Sequence, residues 1–219
     1  MTSAPEAPLC DPIAMTRFHR IFREALDAVP ELVGGAADGD DARAEVVGTY
    51  YDNVLRLLHA HHEGEDLTIY PWMVERLPEH LEVLNRVNAE HEEVLGTLGA
   101  AEAAVAGWRA DPSGESRAAA ADALNALSPV LLGHLDHEEA DVVPLIGMCI
   151  TAPEWGILSA TAFQHFTGDK PWLAIGLIQE QLLPEENATM EANMPPPVHE
   201  FWTTSGRDMF NGFVAELRG

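Results

Sequence analysis

One stretch of this chain occurs twice. His61-His62-Glu63-Gly64-Glu65-Asp66-Leu67-Thr68-Ile69-Tyr70-Pro71 returns 73 positions later as His134-Leu135-Asp136-His137-Glu138-Glu139-Ala140-Asp141-Val142-Val143-Pro144. Both copies place a Glu four residues after the His, a second acid directly after that Glu, and a Pro ten residues after the His. Residues four apart on a helix lie one turn apart on the same face. Each copy therefore offers a His and a carboxylate to the same neighbour, and the fold must accommodate two such faces.

The rest of the sequence reads as helices around these two copies. Asp11-Pro12 is a helix start, an acid at the cap followed by Pro at the first helical position. Ile13, Phe18, Ile21, Phe22, Ala25, Leu26 and Val29 follow at helical spacing, with His19 near that face, and Pro30 ends or kinks the helix. Gly34 to Asp40 is a loop by composition. A second helix is expected from about Asp41 to Glu65, its stripe arriving at His61. The chain turns after Pro71 and breaks again at Pro78. A third helix runs from about Glu79 to Trp108, with Leu81, Leu84, Val87, His91, Val94, Leu95 and Leu98 on its inward side. After the loop Asp111-Pro112-Ser113-Gly114, Ser116 caps a fourth helix that carries Leu124, Leu127, Leu131 and His134 and ends near Pro144.

Four helices of about 20 residues with short connections describe an all-α, antiparallel up-down-up-down four-helix bundle over residues 11–150. Residues 1–10 read as a loose N-terminal tail and 151–219 as a helical extension packing on the bundle. In such a bundle the starts of odd helices and the ends of even helices share one level. His19, His61, His91 and His134 then meet at one depth. The spacing repeats: 42 residues from His19 to His61, and 43 from His91 to His134. The chain looks like a duplicated two-helix unit.

A lone His on an apolar face is ordinarily a core His with a hydrogen-bond partner. Here two His-x-x-x-Glu pairs in register and two further His converge. Burying four imidazoles and two carboxylates with no cation would be costly, because buried charge needs pairing. Imidazole suits Fe, Zn, Cu and Ni, carboxylate suits harder ions, and a mixed set inside a bundle is how dinuclear carboxylate sites are built. A structural zinc site gives no reason for bridging carboxylates.

These motifs, Phe18-His19, His61-x-x-x-Glu65-Asp66 with Pro71, His91-Glu92 and His134-x-x-x-Glu138-Glu139 with Pro144, resemble the hemerythrin or HHE cation-binding family over roughly residues 11–148. The resemblance implies two iron ions, with His19, His61, His91 and His134 as terminal ligands and Glu65 and Glu138 as bridges. Oxygen-carrying hemerythrins place a second His one turn after the third-helix His; here that position is Leu95, so the site resembles the branch with one fewer nitrogen. Two six-coordinate irons want about twelve donor positions. An oxo or hydroxo bridge would fill two, leaving one or two open. His62 and His137 are candidates for a further ligand, against a reading as surface or outer groups. Asp66 and Glu139 are placed to accept hydrogen bonds from ligand imidazoles, and Tyr70 is a further neighbour. His59, His80, His165 and His199 fall off the motif, and Tyr50 lies too far down its helix, ~16 Å, to join.

Composition narrows the function classes. With 36 Asp+Glu against 12 Lys+Arg the net charge is −24, which argues against nucleic acid and anionic membranes as partners. No apolar run approaches the ~20 residues of a membrane span. Met1–Asp11 lacks the basic and apolar regions of a signal peptide, so the expected location is cytoplasmic. Cys10 and Cys149 make no disulfide framework and read as small buried hydrophobes. The extension holds three of the five Trp. It completes the domain, forms a homodimer interface, or walls a substrate cavity; Met194-Pro195-Pro196-Pro197 within it reads as a rigid extended spacer.

The expected function is a diiron protein that binds or reacts with small oxygen species: O2, peroxide or nitric oxide. If it is an enzyme, it is a diiron oxidoreductase of peroxidase, catalase-like or oxygenase type. The alternatives are an iron or oxygen sensor without turnover and an oxygenase acting on an organic substrate.

Overall fold

The computed structural model describes residues 7–219, and it is helical throughout, with one isolated antiparallel bridge between Leu9 and Thr151. The expected loose tail therefore lies partly outside the described residues, and the part that is described is tied down. The Cys10 amide donates to the Ile150 carbonyl at 2.9 Å and the Ala152 amide to the Pro8 carbonyl at 2.8 Å. Cys10 is buried and Cys149 half-buried, and burial pushes the Cys10 thiol up to about 11.

Four helices form a ring of neighbours: α1 (Ile13–Asp27), α3 (Asp41–Leu67), α5 (Leu81–Ala110) and α6 (Gly114–Asp141). α1 touches α3 and α6, and α5 touches α3 and α6. A short α2 (Val29–Leu32) carries Pro30 in its first turn. The capping chemistry explains the starts. Asp11 accepts from the Ile13 amide at 3.1 Å, and Asp40 accepts from the Arg43 amide at 3.0 Å, each satisfying a free N–H of a first turn. The cap of α6 is Ser113, not Ser116: the Ser113 hydroxyl receives the Ser116 amide.

The prolines of the repeat also act differently from the expectation of a turn. Pro71 lies in the first turn of α4 (Ile69–Arg76), and Pro144 in that of α7 (Val143–Cys149). A first-turn N–H has no helical acceptor, so Pro loses nothing there. Pro196 and Pro197 likewise open α11 (Pro196–Phe201), so the extended spacer is confined to Met194 and Pro195.

Side-chain spacing sets the inward faces. On α1 the buried residues include Met15, His19, Phe22 and Leu26, and Ile13 is exposed. On α5 they include Leu84, Val87, His91, Val94 and Leu98. Leu95, expected inward, is exposed, because one position after Val94 it is rotated by about 100°; Leu81, also expected inward, is exposed as the first residue of α5.

The apolar core divides in two. One cluster contains Phe22, Leu58, Val94 and Leu131; the other contains Met15, Ile69, Val87 and Val142. His19 lies between Met15 and Phe22, His61 between Leu58 and Ile69, His91 between Val87 and Val94. His134 and Glu138 lie between Leu131 and Val142. Each of the four helices thus crosses the same polar layer between two apolar ones.

The C-terminal region comprises α8 (Ala152–His165), α9 (Pro171–Gln181), α10 (Pro184–Asn193), α11, a π-turn at Trp202–Gly206 and α12 (Arg207–Arg218). α8 packs on α3, α9 on α1 and α3, and α12 on α9 and α3. Trp172, Leu173, Ile175, Trp202 and Phe210 join the first apolar cluster. Two glycines permit the close seams. A Cβ on Gly64 would stand 3.0 Å from the Ala162 Cβ, and one on Gly176 would fall 2.1 Å from the Phe210 ring.

Candidate metal centre

All six residues singled out from the sequence, His19, His61, Glu65, His91, His134 and Glu138, are buried in this polar layer. The structure brings them together in two adjoining groups. His19, His61, Glu65 and Glu138 form one, and His62, His91 and His134 the other; in each, one ligand atom per residue lies within 4.8 Å of the rest. His62 was legible only as a candidate one residue off the stripe. It is buried and stacks on His91, ring centroids 4.2 Å apart and 8° from parallel.

Three carboxylates orient the imidazoles from outside. His19 Nδ1 is 2.9 Å from Glu139, which also receives Arg23 at 3.1 Å. His91 Nδ1 is 2.8 Å from Asp66, and His134 Nδ1 is 3.4 Å from Glu90. Each acid draws the ring proton to Nδ1 and leaves the Nε2 lone pair facing inward, the tautomer a cation requires. Asp66 and Glu139 were expected in this role from their place after the motif Glu. Glu90 was not: it precedes His91 and lies beside the stripe, and only the approach of α6 reveals its partner. His137 also turns to Glu90, at 2.9 Å, with a side chain 54% exposed, and takes no part in either group.

Inside the layer the two Glu differ. Glu65 directs Oε1 toward His61 Nε2 at 3.4 Å and Oε2 toward His91 Nε2 at 3.8 Å, one oxygen to each group. Glu138 directs Oε2 toward both His19 Nε2 at 3.4 Å and His134 Nε2 at 3.8 Å. Its other oxygen, Oε1, accepts the Tyr70 hydroxyl at 3.0 Å. Phe18 and Phe22 lie against the His61 ring, with centroids 4.8 and 5.8 Å away, and screen the layer from the side of α1.

This donor set fits a cation. The Nε2 atoms of His62, His91 and His134, both oxygens of Glu65 and Oε2 of Glu138 are buried with no hydrogen-bond partner among the described residues. A buried polar atom left unpaired costs about 1–3 kcal/mol, so six at one place form a donor set that a cation would satisfy. Electrostatics agree. Burial, reinforced by the neighbouring His, holds His61 and His62 well below the ordinary imidazole range and His134 down to about 3. These rings are neutral and able to ligate. Burial, with the Glu138 and Asp66 charges, holds the Glu65 carboxyl well above its ordinary range.

The family described as hemerythrin HHE cation-binding domain matches residues 13–146, more than half of the chain. This protein belongs to the hemerythrin HHE family. No curated protein and no solved structure gives a match. As a hemerythrin-family chain it is a metal-binding module, with the His/Glu layer as the cluster that suits a cation. Residues 147–219 lie beyond the family match. Among the described residues no helix is long and apolar enough to cross a membrane.

Proposed function

We propose that this hemerythrin-family protein holds two iron ions in the polar layer and binds or reacts with a small oxygen species, O2, peroxide or nitric oxide. The observation that carries this reading is the orientation of Glu65, whose two unpaired oxygens face different groups. One ion would take His19, His61 and one oxygen of Glu65; the other would take His62, His91, His134 and the second oxygen. Oε2 of Glu138 lies toward both. His62 thereby supplies the nitrogen that Leu95, exposed on α5, does not.

When bound, such a pair supplies reversible one-electron chemistry at each iron and a Lewis-acidic place for a small ligand. The protein's part is to hold and shield it. Glu139, Asp66 and Glu90 fix the ring orientation of His19, His91 and His134. Tyr70 occupies Oε1 of Glu138 and so limits that carboxylate to one oxygen. The first group then offers four donors and the second five against about six per ion, which puts the more open place beside His19 and His61. We favour peroxide or oxidase chemistry over reversible O2 carriage. An organic substrate is less supported: the cavity of about 210 Å³ between bundle and extension is lined by none of the residues of the layer.

The test is iron analysis of the purified chain, followed by anaerobic Fe(II) loading and admission of air or peroxide. Two irons per chain and a new ligand-to-metal charge-transfer absorption are expected. One iron or none per chain, or a spectrum unchanged by both oxidants, would overturn the reading.

A further inference from the structure

The cavity of about 210 Å³ lies where α1 and α3 of the bundle meet α9 and α12 of the extension. Its floor is apolar, with Ile21, Leu177 and Leu217 among the lining residues, all buried. Its mouth carries three acids, Glu24, Glu31 and Glu180, against a single cation, Arg218. Arg218 pairs with Glu180 at 3.5 Å. Among the described residues Glu24 receives only the neutral Gln181 amide, at 2.9 Å. Excess negative charge therefore stands at the rim of an apolar hole.

Tyr50 is the second observation. It lines the cavity and is 7% exposed. Its neighbour Tyr51, 1% exposed, donates to the Ala25 carbonyl at 2.8 Å; no hydrogen bond joins the Tyr50 hydroxyl to any described residue. Burial and then the charges of Glu24 and Glu180 hold its phenol above the ordinary range, so it stays neutral, with a lone pair and a proton both free for a ligand.

We propose that this cavity binds a small organic cation, an amine with an apolar body, at the junction of bundle and extension. The apolar body fills the floor, and the ammonium stays at the acidic mouth within reach of the Tyr50 hydroxyl. An anion would meet three carboxylates. A neutral body would leave their excess charge uncompensated. The volume is below the ~300–1,000 Å³ of pockets for drug-sized ligands, so the occupant is small, with one ring or a short branched chain.

The experiment uses the full-length, metal-loaded protein at low ionic strength, titrated with 2-phenylethylamine and followed by NMR shifts or calorimetry. The neutral isostere 2-phenylethanol and the anion phenylacetate serve as charge controls. The amine is expected to saturate, with the alcohol and the anion binding at least about fivefold more weakly. Leu177→Trp should fill the hole and abolish the binding. Glu24→Gln with Glu31→Gln should weaken it by about fivefold, the scale of two exposed charge contacts. These acids are exposed, so that double variant reports even where Leu177→Trp fails to fold. Equal binding of all three ligands, no binding of the amine, or an affinity unchanged in the charge variants would overturn the proposal. Iron content measured on the same samples keeps this outcome separate from the metal assignment.

Discussion

At the scale of single residues, the protonation of Glu65 is the most consequential feature. Without metal, burial and the Glu138 charge hold its carboxyl well above the ordinary carboxylate range, whereas burial holds His61, His62 and His134 below the ordinary imidazole range. Metal loading above the ordinary carboxylate range should therefore release protons from this carboxyl and none from these three rings. Calorimetric titration in buffers of different ionisation enthalpy checks this. Release from wild type but not from Glu65→Gln is the expected result. The signs for apo stability oppose one another. A His with a depressed folded value contributes stability above its unfolded value of 6.5, lost as pH falls toward the folded value, about 3 for His134. Glu65, raised from 4.5, contributes stability below 4.5, lost as pH rises through its folded value. With the opposing carboxyl removed in Glu65→Gln, the apo chain should weaken as pH falls from 6.5, as thermal melts at stepped pH would show. Removing an orienting acid acts more gently. Asp66→Ala frees the His91 ring and should lower metal affinity by about 10–100-fold while leaving the helical circular dichroism intact.

At the scale of elements, the long helices override local signals that would stop them. α6 runs from Gly114 to Asp141 through Pro129. Proline forfeits a backbone hydrogen bond there, but Leu127 and Leu131 on either side are buried at the bundle core, and that packing holds the helix together. The seam between α3 and α8 is equally specific. Gly64 sits between the motif residues His61 and Glu65, and a Cβ there would meet Ala162 at 3.0 Å. In Gly64→Ala the crowding, about 1 kcal/mol at the low end of overpacking penalties, should offset the helix-propensity gain of about 1 kcal/mol, leaving stability nearly unchanged. A larger side chain should separate α8 from the bundle, exposing sites on α8 to proteolysis while the metal content is retained.

At the scale of the whole molecule, the polar layer and the two apolar clusters are interdependent. Chelation should lower the melting temperature by several degrees, because the apo layer keeps buried polar atoms unpaired. The extension is not an appendage in this packing: Trp172, Leu173, Trp202 and Phe210 complete the cluster that contains Phe22 and Leu58. A chain cut after Ile150 is expected to aggregate or bind hydrophobic dye, read by light scattering and dye fluorescence. A monomeric, cooperatively melting fragment would show the bundle to be self-sufficient.

The helices, their approximate ends and the common depth of His19, His61, His91 and His134 were legible because each rests on spacing along one helix. A stripe at three- and four-residue intervals shows which face turns inward whatever lies opposite. The same logic failed one position off the stripe, at Leu95, which is exposed, and at His62, which is buried, and at the start of α5, where Leu81 is exposed. Whether such a residue turns in or out depends on how wide the neighbouring helix leaves the gap. Glu90, the Tyr70 bond to Glu138, the anchoring of Cys10 beside Ile150 and the cavity under Tyr50 pair residues far apart in the chain. Local order therefore determined the helical character and the existence of the polar layer. Only the packing of the helices decided which oxygens face which rings, since long-range contacts have no period to read.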